Sequence, residues 1–203
     1  MFFCKMLRIS QYIQRVANLV LFAMPGQYRK RKLQILEQMF RQSVSSLKET
    51  NEPFWLDFGT LLGQYRSNSI IPHDIDIDVA MMKSSYPKVA NLKGKMPKGL
   101  KFYDTSKNHA GPKVYFSYKG YDFDIFFYDD EGETLRQFVD AKYPNERQHI
   151  PKKLVFPLKD VQFLGEQVSV PHDSKGYLEL MYGYLGTGGS RDETTGLWHP
   201  PKN

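Results

Sequence analysis

The sequence predicts an α+β domain, a mixed β-sheet flanked by helices, and three observations carry that expectation. Apolar residues recur at helical spacing between Gln27 and Glu49. They alternate with aspartates between Ile70 and Met82 and again around Tyr121–Tyr128. The two kinds of signal are intermixed along one chain without a repeat. A period near 3.6 marks one face of a helix and a period of two marks a strand, so both elements must share a core.

The elements follow in order. Residues 1–24 are apolar but interrupted by Lys5, Arg8 and Arg15, and the clean run from Leu19 to Met24 is far too short to span a bilayer. Drawn as a helix, Lys5, Arg8, Gln11, Arg15 and Asn18 form a polar stripe against Phe2, Met6, Ile9, Ile13 and Val16. Two readings stay open: a basic amphipathic helix in the interface of an anionic membrane, with Arg29–Lys32 behind it, or a first helix packed on the domain. Pro25-Gly26 breaks this segment from a second helix, about Gln27 to Glu49, with Leu33, Leu36, Met39, Phe40, Val44 and Leu47 inward. Phe54–Asp57 reads as a short buried strand, Gly59-Thr60 as the start of a helix through Tyr65, and Ser67-Asn68 as a turn. Residues 70–82 are expected to be extended. Pro87 marks a helix start. Lys113–Tyr128 reads as a hairpin turning at Lys119-Gly120, Thr134–Ala141 as a short helix, and Lys159–Pro171 as a hairpin turning at Gly165. Ser174 is expected to cap a last helix that stops at Gly183, and the Gly- and Pro-rich tail from Thr187 to be loop. The division is therefore 1–32 as a basic amphipathic segment, 33–186 as the domain and 187–203 as tail.

Composition narrows the function. The 203 residues, 41% hydrophobic, suffice for one sizeable core. A formal charge of +6 favours anionic partners. No zinc-finger, RNP-like or helix-turn-helix pattern is present, so no nucleic-acid partner is expected. Cys4 is the single cysteine, which excludes an intrachain disulfide and a cysteine-based zinc site.

The chemistry lies in the middle of the chain. Asp74, Asp76 and Asp78 alternate with Ile75, Ile77 and Val79. On a strand the three acids share one face while the β-branched residues lock the other into the core. Carboxylates so crowded repel one another unless protonated or bridged by a cation, and an all-oxygen set suits Mg²⁺ or Mn²⁺. The alternative is a charged, solvated edge strand. A second pair, Asp122 and Asp124, shares a face of the later hairpin arm and can complete such a site. Before the first cluster, a strand runs through Gly59-Thr60 into a helix, whose free N–H groups and positive dipole end suit a phosphate.

These blocks resemble the LicD family, which groups bacterial phosphocholine transferases with the fukutin-type proteins. The likeness is strongest in Trp55-Leu-Asp-Phe-Gly-Thr-Leu-Leu-Gly-Gln-Tyr-Arg66 followed by Ile71-Pro-His-Asp-Ile-Asp-Ile-Asp78. It continues in order through Asp124-Ile-Phe-Phe-Tyr128, Val155-Phe-Pro-Leu158, Val161-Gln-Phe-Leu-Gly165 and Tyr177-Leu-Glu-Leu-Met-Tyr-Gly183. His73 stands where the family often has an aromatic, and Ile75 where it often has an acid. The resemblance implies a nucleotidyltransferase-type fold and a Mg²⁺- or Mn²⁺-dependent phosphotransferase. Such an enzyme moves phosphocholine or ribitol 5-phosphate from a CDP-linked donor to a hydroxyl of a glycan or polysaccharide acceptor and releases CMP. It makes Asp76, Asp78 and Asp124 the catalytic metal-binding trio, Asp74 an added ligand or supporting acid, and Gly59, Thr60 and Arg66 the donor-phosphate block. Tyr182 is expected to pack rather than to line the site. Two rivals remain: a nucleotidyltransferase that releases pyrophosphate, and a catalytically silent binding member. The expected location is the cytoplasmic face of a membrane in a bacterium, or the Golgi or ER lumen in an animal.

Overall fold

A computed structural model describes residues 27–137 and 149–201. Helix α1 (Gln27–Lys48) matches the predicted second helix and buries Leu36, Met39, Phe40, Val44 and Leu47. It is followed by β1 (Phe54–Leu56), α2 (Phe58–Ser67) and β2 (Asp76–Met82). After a single 3₁₀ turn come α3 (Tyr86–Ala90), β3 (Lys101–Asp104), β4 (Lys113–Tyr118) and β5 (Tyr121–Asp130). The second half holds β6 (Thr134–Gln137), β7 (His149–Pro151), α4 (Lys152–Val155), β8 (Lys159–Phe163), β9 (Glu166–Val170), α5 (Ser174–Tyr182), β10 (Ser190–Arg191) and β11 (Trp198–His199).

Among the described residues, nine strands form one mixed sheet in the order β3-β4-β5-β2-β1-β9-β8, with β6 and β7 added beside β5. The β2–β5 and β1–β9 pairs are parallel and the others antiparallel. One sheet face carries Ile77, Val79, Val114, Phe116, Phe123 and Ile125, all buried, and α1 lies on it through contacts such as Phe40–Phe123. The opposite face receives α2 and α5.

A buried carboxylate joins the helices of that second layer to the sheet. Asp57, wholly inaccessible, caps α2 by accepting from the Phe58 amide (2.8 Å). The same side chain accepts from the Tyr177 hydroxyl of α5 (2.6 Å) and from the Tyr128 hydroxyl of β5 (2.7 Å). The two hydroxyls also lie 2.9 Å apart. A buried carboxyl is tolerable only when its lone pairs are taken up in this way. Burial still pushes its pKa above the usual carboxylate range, while the three hydrogen bonds pull it back.

Four expectations need correction. The strand begins at Asp76, not near Ile70. Pro72 withholds a donor, and the Asp74 amide turns back on the Ile71 carbonyl (3.0 Å), so 71–75 is a loop. Thr134–Gln137 is a strand rather than the start of a helix, because β5 runs on to Asp130 and offers an edge that pairs Asp130 with Leu135; residues 138–141 of that expected helix lie outside the described residues. Asp173, not Ser174, caps α5, accepting from the Gly176 amide (2.9 Å). The tail is not all loop, since β10 and β11 pair as a small hairpin anchored by a bridge from Gly183 to Trp198. The amphipathic segment before Gln27 also lies outside the described residues. Among the described residues no helix is long and apolar enough to cross a membrane.

Replacing Asp57 by Ala strands two buried hydroxyls and removes the α2 cap. The expected loss is about 3–5 kcal/mol, the scale for deleting one partner of a buried charged network. Tyr177→Phe removes its bond to Asp57 and its contact with Tyr128 but keeps the α2 cap and the Tyr128–Asp57 bond, and is expected to cost less, about 1–3 kcal/mol. Urea denaturation of the three proteins checks the order; equal midpoints for wild type and Asp57→Ala would show that this network does not hold the layers together.

Candidate active site

Parallel pairing of β2 with β5 brings the two acidic clusters together. The register sets Asp76 beside Asp122 and Asp78 beside Asp124. Adjacent residues in register share a sheet face, so the four aspartates form a two-by-two array opposite the α1 layer. Single carboxylate oxygens of Asp76, Asp78 and Asp124 all lie within 4.8 Å of one another. Asp74, in the loop before β2, approaches from the side: a Cβ at Gly59 would fall 2.9 Å from Asp74 Oδ2 and 3.7 Å from Asp78 Oδ2. Glycine at 59 therefore lets the first turn of α2 sit against these carboxylates, where its amide dipoles favour negative charge. Thr60 is buried, and its hydroxyl accepts from the Asp78 amide (2.8 Å), fixing the backbone of β2 against α2.

Three of these acids, Asp74, Asp78 and Asp124, hold their protons unusually tightly. Burial, then Asp76, Asp124, Asp57 and Asp74, push Asp78 well above the usual carboxylate range. Burial foremost, with Asp76 and Asp122 adding and Lys113 opposing, lifts Asp124 to about 7. Burial and Asp76, against Lys32, lift Asp74 to about 6. Three carboxylate oxygens at this spacing fit a hard divalent cation. Asp76, Asp78 and Asp124 would hold it; Asp74 and Asp122 stand at its margin.

Other predicted residues have different surroundings. Arg66 Nε and Nη2 donate to the Leu185 carbonyl (3.0 and 2.7 Å), fastening the segment after α5 to the end of α2. His73 is exposed, with Nε2 3.9 Å from Asp74 Oδ1.

Two residues at the site, Lys32 and Asp57, were not given a role there from the sequence, and a third, Tyr182, was expected only to pack. Lys32 is buried and its Nζ donates to the carbonyls of Pro72 and Asp74 (2.7 Å each), tying α1 to the loop that carries Asp74. Burial lowers its pKa to about 8. The signal was available, because Lys32 precedes Leu36 and Phe40 at four-residue spacing on the inward face. Asp57 was legible as an N-cap before Phe58-Gly-Thr60. Tyr182 is half-buried and packs against the core, as expected; burial, then Asp78, Asp57, Asp74 and Asp76, hold its hydroxyl proton on.

The carboxylate trio on two strands of a mixed sheet, beside a helix N-terminus, sits on a fold of the nucleotidyltransferase type. Residues 51–173 match the family model described as LicD/FKTN/FKRP, nucleotidyltransferase domain, and the chain belongs to that family. It is similar to the ribitol-5-phosphate transferase FKTN of Mus musculus, 28% identical over 163 residues, covering 77% of this chain and 33% of that protein. It is also similar to an uncharacterised protein of Rickettsia typhi, 26% identical over 153 residues, covering 75% of this chain and 47% of the other. The chain thus spans a third to a half of the length of these relatives. Among solved structures, ANT(2")-Ia in complex with adenylyl-2"-tobramycin shares 12% identity and a TM-score of 0.40, over 66% of this chain and 68% of that one.

The raised pKa values set a pH signature. A carboxyl whose folded pKa exceeds its unfolded value stabilises the fold most below about pH 4 and loses that contribution as pH rises through the folded value. For Asp74 and Asp124 the loss therefore runs up through about pH 6 and about pH 7. Metal-free protein is expected to melt lower at pH 8 than at pH 5.5, and Mg²⁺ to raise the melting temperature more at pH 8. Scanning fluorimetry at both values, with Mg²⁺ or EDTA, reads this out. A Mg²⁺ effect independent of pH would exclude these carboxylates as ligands.

Proposed function

We propose that this chain transfers a phospho-head group, of phosphocholine or ribitol 5-phosphate type, from a CDP-linked donor to a glycan hydroxyl and releases CMP. The observation that carries the reading is the assembly of Asp76, Asp78 and Asp124 from two strands into one cluster, within a chain of the LicD family. A Mg²⁺ or Mn²⁺ ion held by these three would supply charge neutralisation at the donor's diphosphate. The amides at Gly59 and Thr60, at the positive end of α2, support the placing of a phosphate oxygen beside the trio.

The acceptor hydroxyl oxygen bonds to the phosphorus that bears the head group, and the bond from that phosphorus to the bridging oxygen breaks. The electron pair leaves with CMP. The hydroxyl proton needs an acceptor, and Asp74 is suited to it. It lies outside the trio, is partly accessible, and has a pKa raised to about 6, close to working pH. Tyr182 offers a neutral hydroxyl on the same side. Arg66 holds the segment at Leu185 and Gly186 against the end of α2.

The reading is tested by incubating the protein with Mg²⁺, CDP-choline or CDP-ribitol and a glycan acceptor, with CTP plus phosphocholine or ribitol 5-phosphate in parallel. CMP is expected from the first set and no pyrophosphate from the second; pyrophosphate alone would place the chain among donor-making enzymes. Asp76→Asn and Asp78→Asn should fall below about 1% of wild-type CMP release, since even outer-shell partners of metal ligands cost about 10–100-fold. Both should remain folded, and in EDTA should melt no lower than wild type because a repulsion is relieved. Turnover in either variant near wild type would refute the assignment.

A further inference from the structure

The row of the sheet that carries Asp78 and Asp124 continues outward onto the open part of the same face. Antiparallel pairing sets Asp124 beside Tyr115 and Tyr115 beside Tyr103, whose rings stack at 4.9 Å. Two residues before Tyr115, and hence on the same face, stands Lys113, in register with Phe126. Phe126 in turn meets the ring of Phe58 at 4.8 Å, so this row borders the first turn of α2. Lys113 is half-buried and makes no ion pair or side-chain hydrogen bond with a described residue, although its charge is felt by Asp124. Other lysines do find acidic partners, as Lys48 does with Glu166 and Lys83 with Asp129. An ammonium kept beside a carboxylate cluster but clear of contact with it is placed for an anion that arrives with the metal.

We propose that Lys113 is a phosphate-binding residue, taking an oxygen of the nucleoside diphosphate on the side of the carboxylate trio away from Asp74. The proposal rests on the donor reading above and adds to it a residue outside every motif that carries the family resemblance. Lys113 and the α2 N-terminus then both adjoin the trio, so a diphosphate on the metal meets positive charge from each. If Lys113 served only as countercharge for Asp124, its loss would alter metal binding and leave phosphate binding unaffected.

Calorimetric titration of the full chain separates these cases, with Mg²⁺ alone, then pyrophosphate and CDP in saturating Mg²⁺. Lys113→Met keeps the length and removes the charge; Lys113→Gln replaces it should the methionine variant not fold, and Lys113→Arg keeps the charge. The neutral variant is expected to bind pyrophosphate and CDP about tenfold to a hundredfold more weakly, the range for one charge-assisted hydrogen bond, and Mg²⁺ alone as well as or better than wild type. Lys113→Arg should stay within a few-fold of wild type. Undiminished binding of both probes by the neutral variant, an equal loss for Mg²⁺ alone, or no binding of either probe by wild type would each overturn the proposal. Wild-type binding of pyrophosphate without CDP would refute the CDP-linked donor and leave the phosphate site in place.

Discussion

Repulsion among carboxylates on one sheet face is the constraint around which the structure is arranged. Asp76, Asp78 and Asp124 come together only because β2 and β5 run parallel and in register, and every neighbouring element answers their charge in some way. The first turn of α2 brings its dipole to them across the bare Cα of Gly59. Thr60 pins the Asp78 amide, and Lys32 holds the carbonyls of the loop that bears Asp74. None of these contacts neutralises the trio. A fold built for stability alone would place apolar residues there, as it does on the other face of the same strands with Ile77, Val79, Phe123 and Ile125.

The second buried acid has the opposite character. Asp57 accepts hydrogen bonds from Phe58, Tyr128 and Tyr177, each from a different element of the second layer or the sheet. It is spent on architecture, while the trio gathers like charges on one sheet face. The two kinds of carboxylate adjoin along β1 and β2, where the Asp57 amide donates to the Asp78 carbonyl (3.1 Å). A rigid acid thus supports a charge-frustrated one, and precision in the second depends on the hydrogen bonds of the first.

Much of this was legible in the sequence because it is periodic. The alternation around Asp76–Val79 and Asp122–Ile125 showed which side chains share a face, and the Lys119-Gly120 turn of the β4–β5 hairpin, with φ of 48° and 86°, is where turn chemistry placed it. What periodicity could not show is adjacency: spacing within 76–78 and within 122–124 says nothing about which strand lies beside which, so the residues alone offered Asp124 only as a possible complement and the family resemblance made the link specific. Strand length was also over-read. Ile70, Ile71 and Ile75 mimic an extended run, but Pro72 and the Asp74–Ile71 turn interrupt it, and Asp74 reaches the site from a loop instead. Lys32 and Lys113 were hidden for a related reason: each is a single basic residue whose meaning comes from a neighbour far away in the chain.

The parallel pairing has a consequence for the history of each molecule. Antiparallel neighbours such as β4 and β5 meet through a tight turn, whereas β2 must wait for α3, β3 and β4 to be threaded before β5 arrives beside it. Such distant closures are late and slow steps in folding. A nascent or half-folded chain therefore presents Asp76 and Asp78 without Asp124, and two carboxylates on a loose segment hold a hard cation poorly. The carboxylate trio comes into being only when the sheet is complete, so a misfolded copy lacks the proposed metal site.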